Sequence, residues 1–236
     1  MLGKRNKTNL QQINQLIEGR MYKHFLKSTL FLSLLLTNCG PMRYDKNDCG
    51  FYMNLGRRIG WSPYNLPIMF YIDPSVPKNM IPAIKKAADN WEKILGNSDL
   101  IEFTTDNPEN SFMRSIVPDF VTNFNVILGD GSNQFTESRT NAKTYYTWSY
   151  PYLYKTDIVI NLKDTNWDLD DVIDSNKTDL TGVMMHEFGH ALGLRHNETQ
   201  MDSVMYPYAG NGQKLEANET DTNNIICHYG GEEYEN

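Results

Sequence analysis

Apolar positions recur in two different periods along this chain, and the change from one to the other marks out its elements. Residues 67–73, Pro-Ile-Met-Phe-Tyr-Ile-Asp, read as a strand stopped at Asp73-Pro74. Over 78–95 the period lengthens: Ile84, Ala87, Ala88, Trp91 and Leu95 recur at helical spacing, which predicts a helix with one apolar face. Pro82 suits an early helical position, and Gly96 ends the run. Strands are predicted at 101–105 and 123–128, the second stopped by Gly129-Asp130-Gly131. Residues 143–148 are rich in Thr and Tyr, and 156–162 are largely β-branched, so both favour strand. A second helix is predicted over about 180–192, with Asp179 placed to cap it. Strands and helices therefore alternate from Trp61 onward, and one domain is expected over 61–230. Residues 39–60 form a lead-in and 231–236 a tail.

One apolar run stands outside this alternation. Leu30-Phe31-Leu32-Ser33-Leu34-Leu35-Leu36 follows Lys23, His24 and Lys27, the layout of a secretory signal, and it is too short for a comfortable membrane span. Met21 opens a segment of ordinary signal length, so residues 1–20 are expected to be an upstream misassignment of the start. Thr37-Asn38-Cys39-Gly40 resembles a bacterial lipoprotein cleavage site, which implies a signal over 21–38 and a lipid on Cys39. A plain secretory signal and an uncleaved anchor are the alternatives. By that resemblance the protein is expected outside the cytoplasm, as an outer-membrane lipoprotein, at the cell surface, secreted, or in the periplasm.

Composition narrows the picture in only one direction. A net charge of −7 argues against nucleic acid as a partner, and 40% hydrophobic residues suffice for a core. A monomer is expected. With Cys39 acylated, Cys49 and Cys227 remain as an even pair in an oxidising compartment and are candidates for a disulfide. Free buried thiols are the alternative. The acidic group Asp164, Asp168, Asp170, Asp171 and Asp174 offers oxygen ligands of the kind Ca²⁺ prefers, although a solvated loop reads equally from the same residues and no EF-hand spacing is present.

The chemistry is concentrated in His186-Glu187-Phe188-Gly189-His190-Ala191-Leu192-Gly193-Leu194-Arg195-His196. His186 and His190 lie one helical turn apart on one face, so both imidazoles can reach a single Zn²⁺. Gly193 suits a helix end where positive φ turns the chain sharply and brings His196 back as third ligand. Three protein ligands leave a position open for water, the arrangement of a catalytic zinc. Glu187 lies too far around the helix to ligate with the histidines, but it can reach that water as general base.

This segment, with Ser203-Val204-Met205-Tyr206-Pro207 downstream, resembles the metzincin signature and its Met-turn. The sequence H-E-F-G-H-A-L-G-L, the M-Y-P turn and the closing segment 220–230 are similar to the matrixin branch in particular. The resemblance implies an α+β fold: a twisted, mostly parallel five-stranded sheet with an antiparallel edge strand, a backing helix, an active-site helix and a C-terminal helix. It implies Met205 as a floor beneath the metal, and Tyr206 and Pro207 as walls for the side chain after the cleaved bond. It also implies a protein or peptide substrate added as a strand along 140–148. Tyr145, Tyr146 and Trp148 are expected to pack on the sheet rather than to wall the cleft. Pro207 stands where astacins carry a tyrosine, and Asn197 stands where vertebrate matrixins carry a small hydroxyl residue. Only His24 and His228 lie outside the motif, so a second, structural zinc is not expected. Latent vertebrate matrixins block their zinc with a cysteine. Cys49 is a third alternative in that sense, although Asp48-Cys49-Gly50-Phe51 lacks the rest of that motif. The function implied is a zinc-dependent endopeptidase using Glu187. An inactive surface-binding lipoprotein with a protease fold and a zinc amidase acting on cell-wall peptides are the rival readings.

Overall fold

The computed structural model describes residues 48–96, 100–104, 125–130, 140–170 and 174–231. The start segment, the signal, Cys39 and Asp171 lie outside the described residues. The first strands among the described residues are a short antiparallel pair, β1 (Met53–Asn54) and β2 (Arg57–Arg58). Five longer strands form one sheet: β3 (Ile68–Ile72), β4 (Ile101–Thr104), β5 (Asn125–Asp130), β6 (Ala142–Ser149) and β7 (Tyr152–Asn161). Their order is β4-β3-β5-β7-β6, parallel throughout except that β6 runs antiparallel to β7 at the edge. The expected α+β architecture is the one observed. A small parallel pair, β8 (Trp167–Asp168) and β9 (Thr178–Asp179), leads into the active-site helix.

Helix α1 (Ile81–Leu95) starts three residues later than the periodicity predicts, because Lys78–Met80 wind into a 3₁₀ turn ahead of Pro82. Gly96 closes it in the left-handed region, at φ 67°. Its apolar face, Ile84, Ala87, Ala88 and Trp91, is fully buried. Helix α2 (Leu180–Leu192) matches its predicted span. Phe188 of α2 packs edge-on to Phe70 of β3, ring centroids 5.5 Å apart, which fixes the rotation of the helix over the sheet. Asp179 occupies the N-cap position but does not cap: its carboxylate accepts from Leu215 N at 3.2 Å instead. Helix α3 (Glu219–Tyr229) closes the domain.

Two expectations need revision. β7 begins at Tyr152 rather than 156, forming a hairpin with β6. Its first half was hidden in the sequence because Lys155 is buried there beside Asp157, 3.0 Å away, which breaks the apolar pattern. The lead-in, from Asp48 onward, is built into the domain. Phe51 is wholly buried and bridges to Leu194, Tyr52 N donates to Gly193 O at 3.1 Å, and Arg195 pairs with Asp48 at 2.5 Å. Cys49 and Cys227 are joined as a disulfide, Cα atoms 6.0 Å apart, so Cys49 is not a thiolate ligand.

Candidate active site

The active-site helix is held at its middle and at its C-terminal end by side chains that donate to its carbonyls. Trp91 Nε1 donates to Met185 O, Trp61 Nε1 to Ala191 O, each at 2.8 Å, and Tyr229 Oη to Leu192 O at 2.6 Å. The last two carbonyls belong to the final turn, which lacks partners within the helix. Gly193 follows at φ 108°, and a Cβ there would overlap Ile59 O and crowd the Phe51 ring. The glycine is therefore required twice, by its conformation and by the close approach of the lead-in. The turn it makes carries the chain back toward the helix.

The result is a three-histidine cluster. The available nitrogens of His186, His190 and His196 lie within 4.8 Å of one another. His186 Nδ1 is 2.7 Å from Val204 O, and His190 Nδ1 is 2.8 Å from Leu194 O. A carbonyl only accepts, so each Nδ1 carries the proton and each Nε2 presents its lone pair, the tautomer a metal needs. Burial holds the His186 and His190 rings below the ordinary histidine range, and the rings repel one another's charge. For His196 burial again leads, the nearby His186 adds to it, and Glu198 opposes it. The rings are thus neutral at physiological pH. Neutral, pre-oriented imidazoles at this separation fit Zn²⁺, and among the described residues they form the group that does.

Met205 is 2% exposed and lies under this cluster's helix, where a Cβ on Gly189 would overlap its sulfur with Trp91 close behind. The glycine inside the histidine motif is thus explained by packing on the Met-turn. Ser203 Oγ donates to Asp221 Oδ1 at 2.5 Å, and Val204 N donates to Asp221 Oδ2 at 2.8 Å. Asp221 also completes a reciprocal cap with Asn218 at the start of α3. Asn197 joins the two halves: its N–H donates to Met205 O at 2.8 Å, and its side chain bonds Thr199 and Gln200. The residue that departs from the vertebrate pattern therefore orders the turn between third histidine and methionine.

Glu187 is 5% exposed, and its Oε2 accepts from Thr144 Oγ1 of β6 at 2.6 Å. Burial pushes its carboxyl up to about 7, with the Thr144 bonds pulling the other way. An open cleft of about 1190 Å³ runs past these groups. Val183, Tyr206, Pro207, Tyr208 and Leu215 are among the residues that line it. Tyr145 and Tyr146 line it too: Tyr146 also packs against the core as expected, whereas Tyr145 is 37% and Trp148 43% exposed, contrary to the expectation that they pack on the sheet. Tyr52 of the lead-in is a further lining residue. Thr144, Asp221 and Tyr52 were missed in the sequence, since each acts through a partner distant along the chain, and Asn197 was noted only as a departure from the vertebrate pattern. Capping-box spacing at 218–221 was the one readable signal.

The acidic group gives no comparable cluster among the described residues. Asp168 accepts from the backbone N–H groups of Asp174 and Asp170, which hold its carboxyl below the usual range. Its oxygens are spent on shaping the loop.

A sequence model of the family described as Matrixin matches residues 77–230, more than half of the chain. A comparison with curated proteins found no match. Among solved structures, high choriolytic enzyme 1 of the medaka Oryzias latipes, a hatching enzyme zinc-protease, is similar over 81% of this chain and 99% of that one, at 12% identity and a TM-score of 0.38. With the three-histidine cluster, its Met-turn and the family match over the same residues, this chain belongs to the matrixin family of zinc metalloproteases.

Proposed function

We propose that the protein is an exported zinc endopeptidase that cleaves extended polypeptides bound along β6. The observation that carries this reading is the buried carboxylate of Glu187 beside three clustered histidines, two of them oriented by backbone carbonyls, in an open cleft. His186, His190 and His196 would hold the metal. When bound, zinc supplies Lewis acidity that polarises a carbonyl and makes water nucleophilic near neutral pH.

The remaining work belongs to side chains. β6 ends the strand order, so its outer edge can pair main chain to main chain with a substrate segment, a mode tolerant of many sequences. Glu187 takes a proton from the attacking water as the new C–O bond forms. It returns that proton to the amine nitrogen as the C–N bond breaks, ending ionised as it began. A carboxyl near neutrality suits both directions of transfer. Thr144 fixes the orientation of Glu187. Met205 packs beneath the helix that carries two of the ligands, and Tyr206 and Pro207 bound the pocket for the side chain after the cleaved bond. Glu187→Ala should abolish casein cleavage while bound zinc, read by atomic emission, stays at one per chain. Full activity in that variant would overturn the mechanism.

Export and anchoring rest on the signal-like run before Cys39. Membrane fractionation of the native chain against Cys39→Ser checks the anchor. Equal membrane retention of the two would remove lipidation from the account.

A further inference from the structure

The mechanism leaves unused a row of aromatic rings, two of which line the cleft. Thr144 marks the reacting point on β6 by touching Glu187, and Tyr146 and Trp148 follow it along the strand. Tyr146 and Trp148 have ring centroids 5.9 Å apart, and Tyr52 lies 5.3 Å from Tyr146 on the other side. Tyr52 and Tyr146 line the same cleft as the histidines. Trp148 stays 43% exposed beside Tyr146.

Tyr52 is preset there rather than draped. Its N–H donates to Gly193 O at 3.1 Å, its carbonyl accepts from Ile59 N at 2.8 Å, and neighbouring Phe51 is wholly buried. The Cys49–Cys227 disulfide ties the same segment to α3. Burial pushes the Tyr52 phenol up, so this residue presents a neutral ring face, and its hydroxyl bonds Tyr146. Neutral, pre-positioned rings recognise apolar area and other rings. A peptide paired antiparallel with β6 places the residues before its cleaved bond beside the C-terminal half of that strand, where this row lies.

We propose that Tyr52, Tyr146 and Trp148 form an aromatic subsite selecting substrates with a bulky apolar or aromatic side chain on the amino-terminal side of the cleaved bond. This rests on the peptidase reading, so the test separates the two. Binding is read by fluorescence polarisation on the zinc-loaded Glu187→Ala chain, which needs no turnover. The probes are three labelled octapeptides identical except for Phe before the central bond, Phe after it, or Gly at both places. The first should bind about tenfold more tightly than the Gly peptide. Tyr52→Ala should reduce that preference to within about twofold, and Tyr52→Phe should preserve it. Tyr146→Val, whose β-branched side chain suits a strand, should behave like Tyr52→Ala and covers the case in which the latter misfolds. An undiminished preference in both folded variants, or a preference only for Phe after the bond, would overturn the subsite. Chelator-sensitive cleavage of the same peptides by the native chain is measured alongside. Its absence would count against the peptidase reading and leave the binding result standing.

Discussion

Glu187 is poised by two opposing effects: burial drives its carboxyl toward the neutral form, and Thr144 favours the ionised one. A hydrogen bond to a charged group contributes about 1.5–3 kcal/mol, so removing it should move the balance measurably. Thr144→Val keeps the strand propensity and deletes the donor. Its Glu187 should ionise at higher pH, shifting the acid limb of kcat upward by about one pH unit with KM little changed. An unmoved acid limb would show that Thr144 does not govern the base. The histidines follow the opposite sign. Their values are depressed, so the neutral state is favoured in the fold, and that contribution is lost as pH falls below the ordinary histidine range. His186, His190 and the base were legible from helical spacing, and His196 from the turn expected at Gly193. Thr144 was not, since 43 residues separate it from Glu187 and only the sheet brings them together.

At the scale of elements, the metal site depends on a relay between α3 and α2. Asp221, fully buried at the start of α3, accepts from Val204 N, and Val204 O in turn orients His186. Asp221→Ala would strand Val204 N, Ser203 Oγ and Asn218 N at once. It should cost about 2–4 kcal/mol in urea unfolding of the metal-free protein. Zinc affinity, measured by chelator competition, should fall as well, because His186 loses its support. Lost stability with unchanged zinc affinity would break the proposed relay. The span of α2 was readable from its residues, and its actual stabilisers were not. Asp179 sits where a cap belongs yet turns to Leu215, a choice set by tertiary packing. The N-terminal half of β7 escaped notice for a similar reason, its buried Lys155 being tolerable only with Asp157 beside it.

Across the whole molecule, the lead-in is the element the sequence undersold. Its pattern is too short and irregular to read as core, yet Phe51 is wholly buried and Tyr52 reaches the cleft. The Cys49–Cys227 bridge closes a span of 178 residues. In the loop-entropy account, a loop that long stabilises by up to about 5 kcal/mol. The double variant Cys49→Ser, Cys227→Ser should therefore lose about 2–5 kcal/mol in denaturant unfolding. Stability equal to the native chain would mean that the buried contacts of Phe51 hold the segment unaided. The mostly parallel sheet with its antiparallel edge was legible only through the family resemblance, and the strand order was not legible, because strand pairing of high sequence separation leaves no local pattern. The central claim is that one zinc ion, held by His186, His190 and His196, makes this chain a peptidase. Titrating zinc into the chelator-stripped chain while following hydrolysis of a quenched fluorescent peptide tests it most directly. The rate should rise from zero and level at one equivalent of zinc; hydrolysis without metal, or none at one equivalent, would contradict the account.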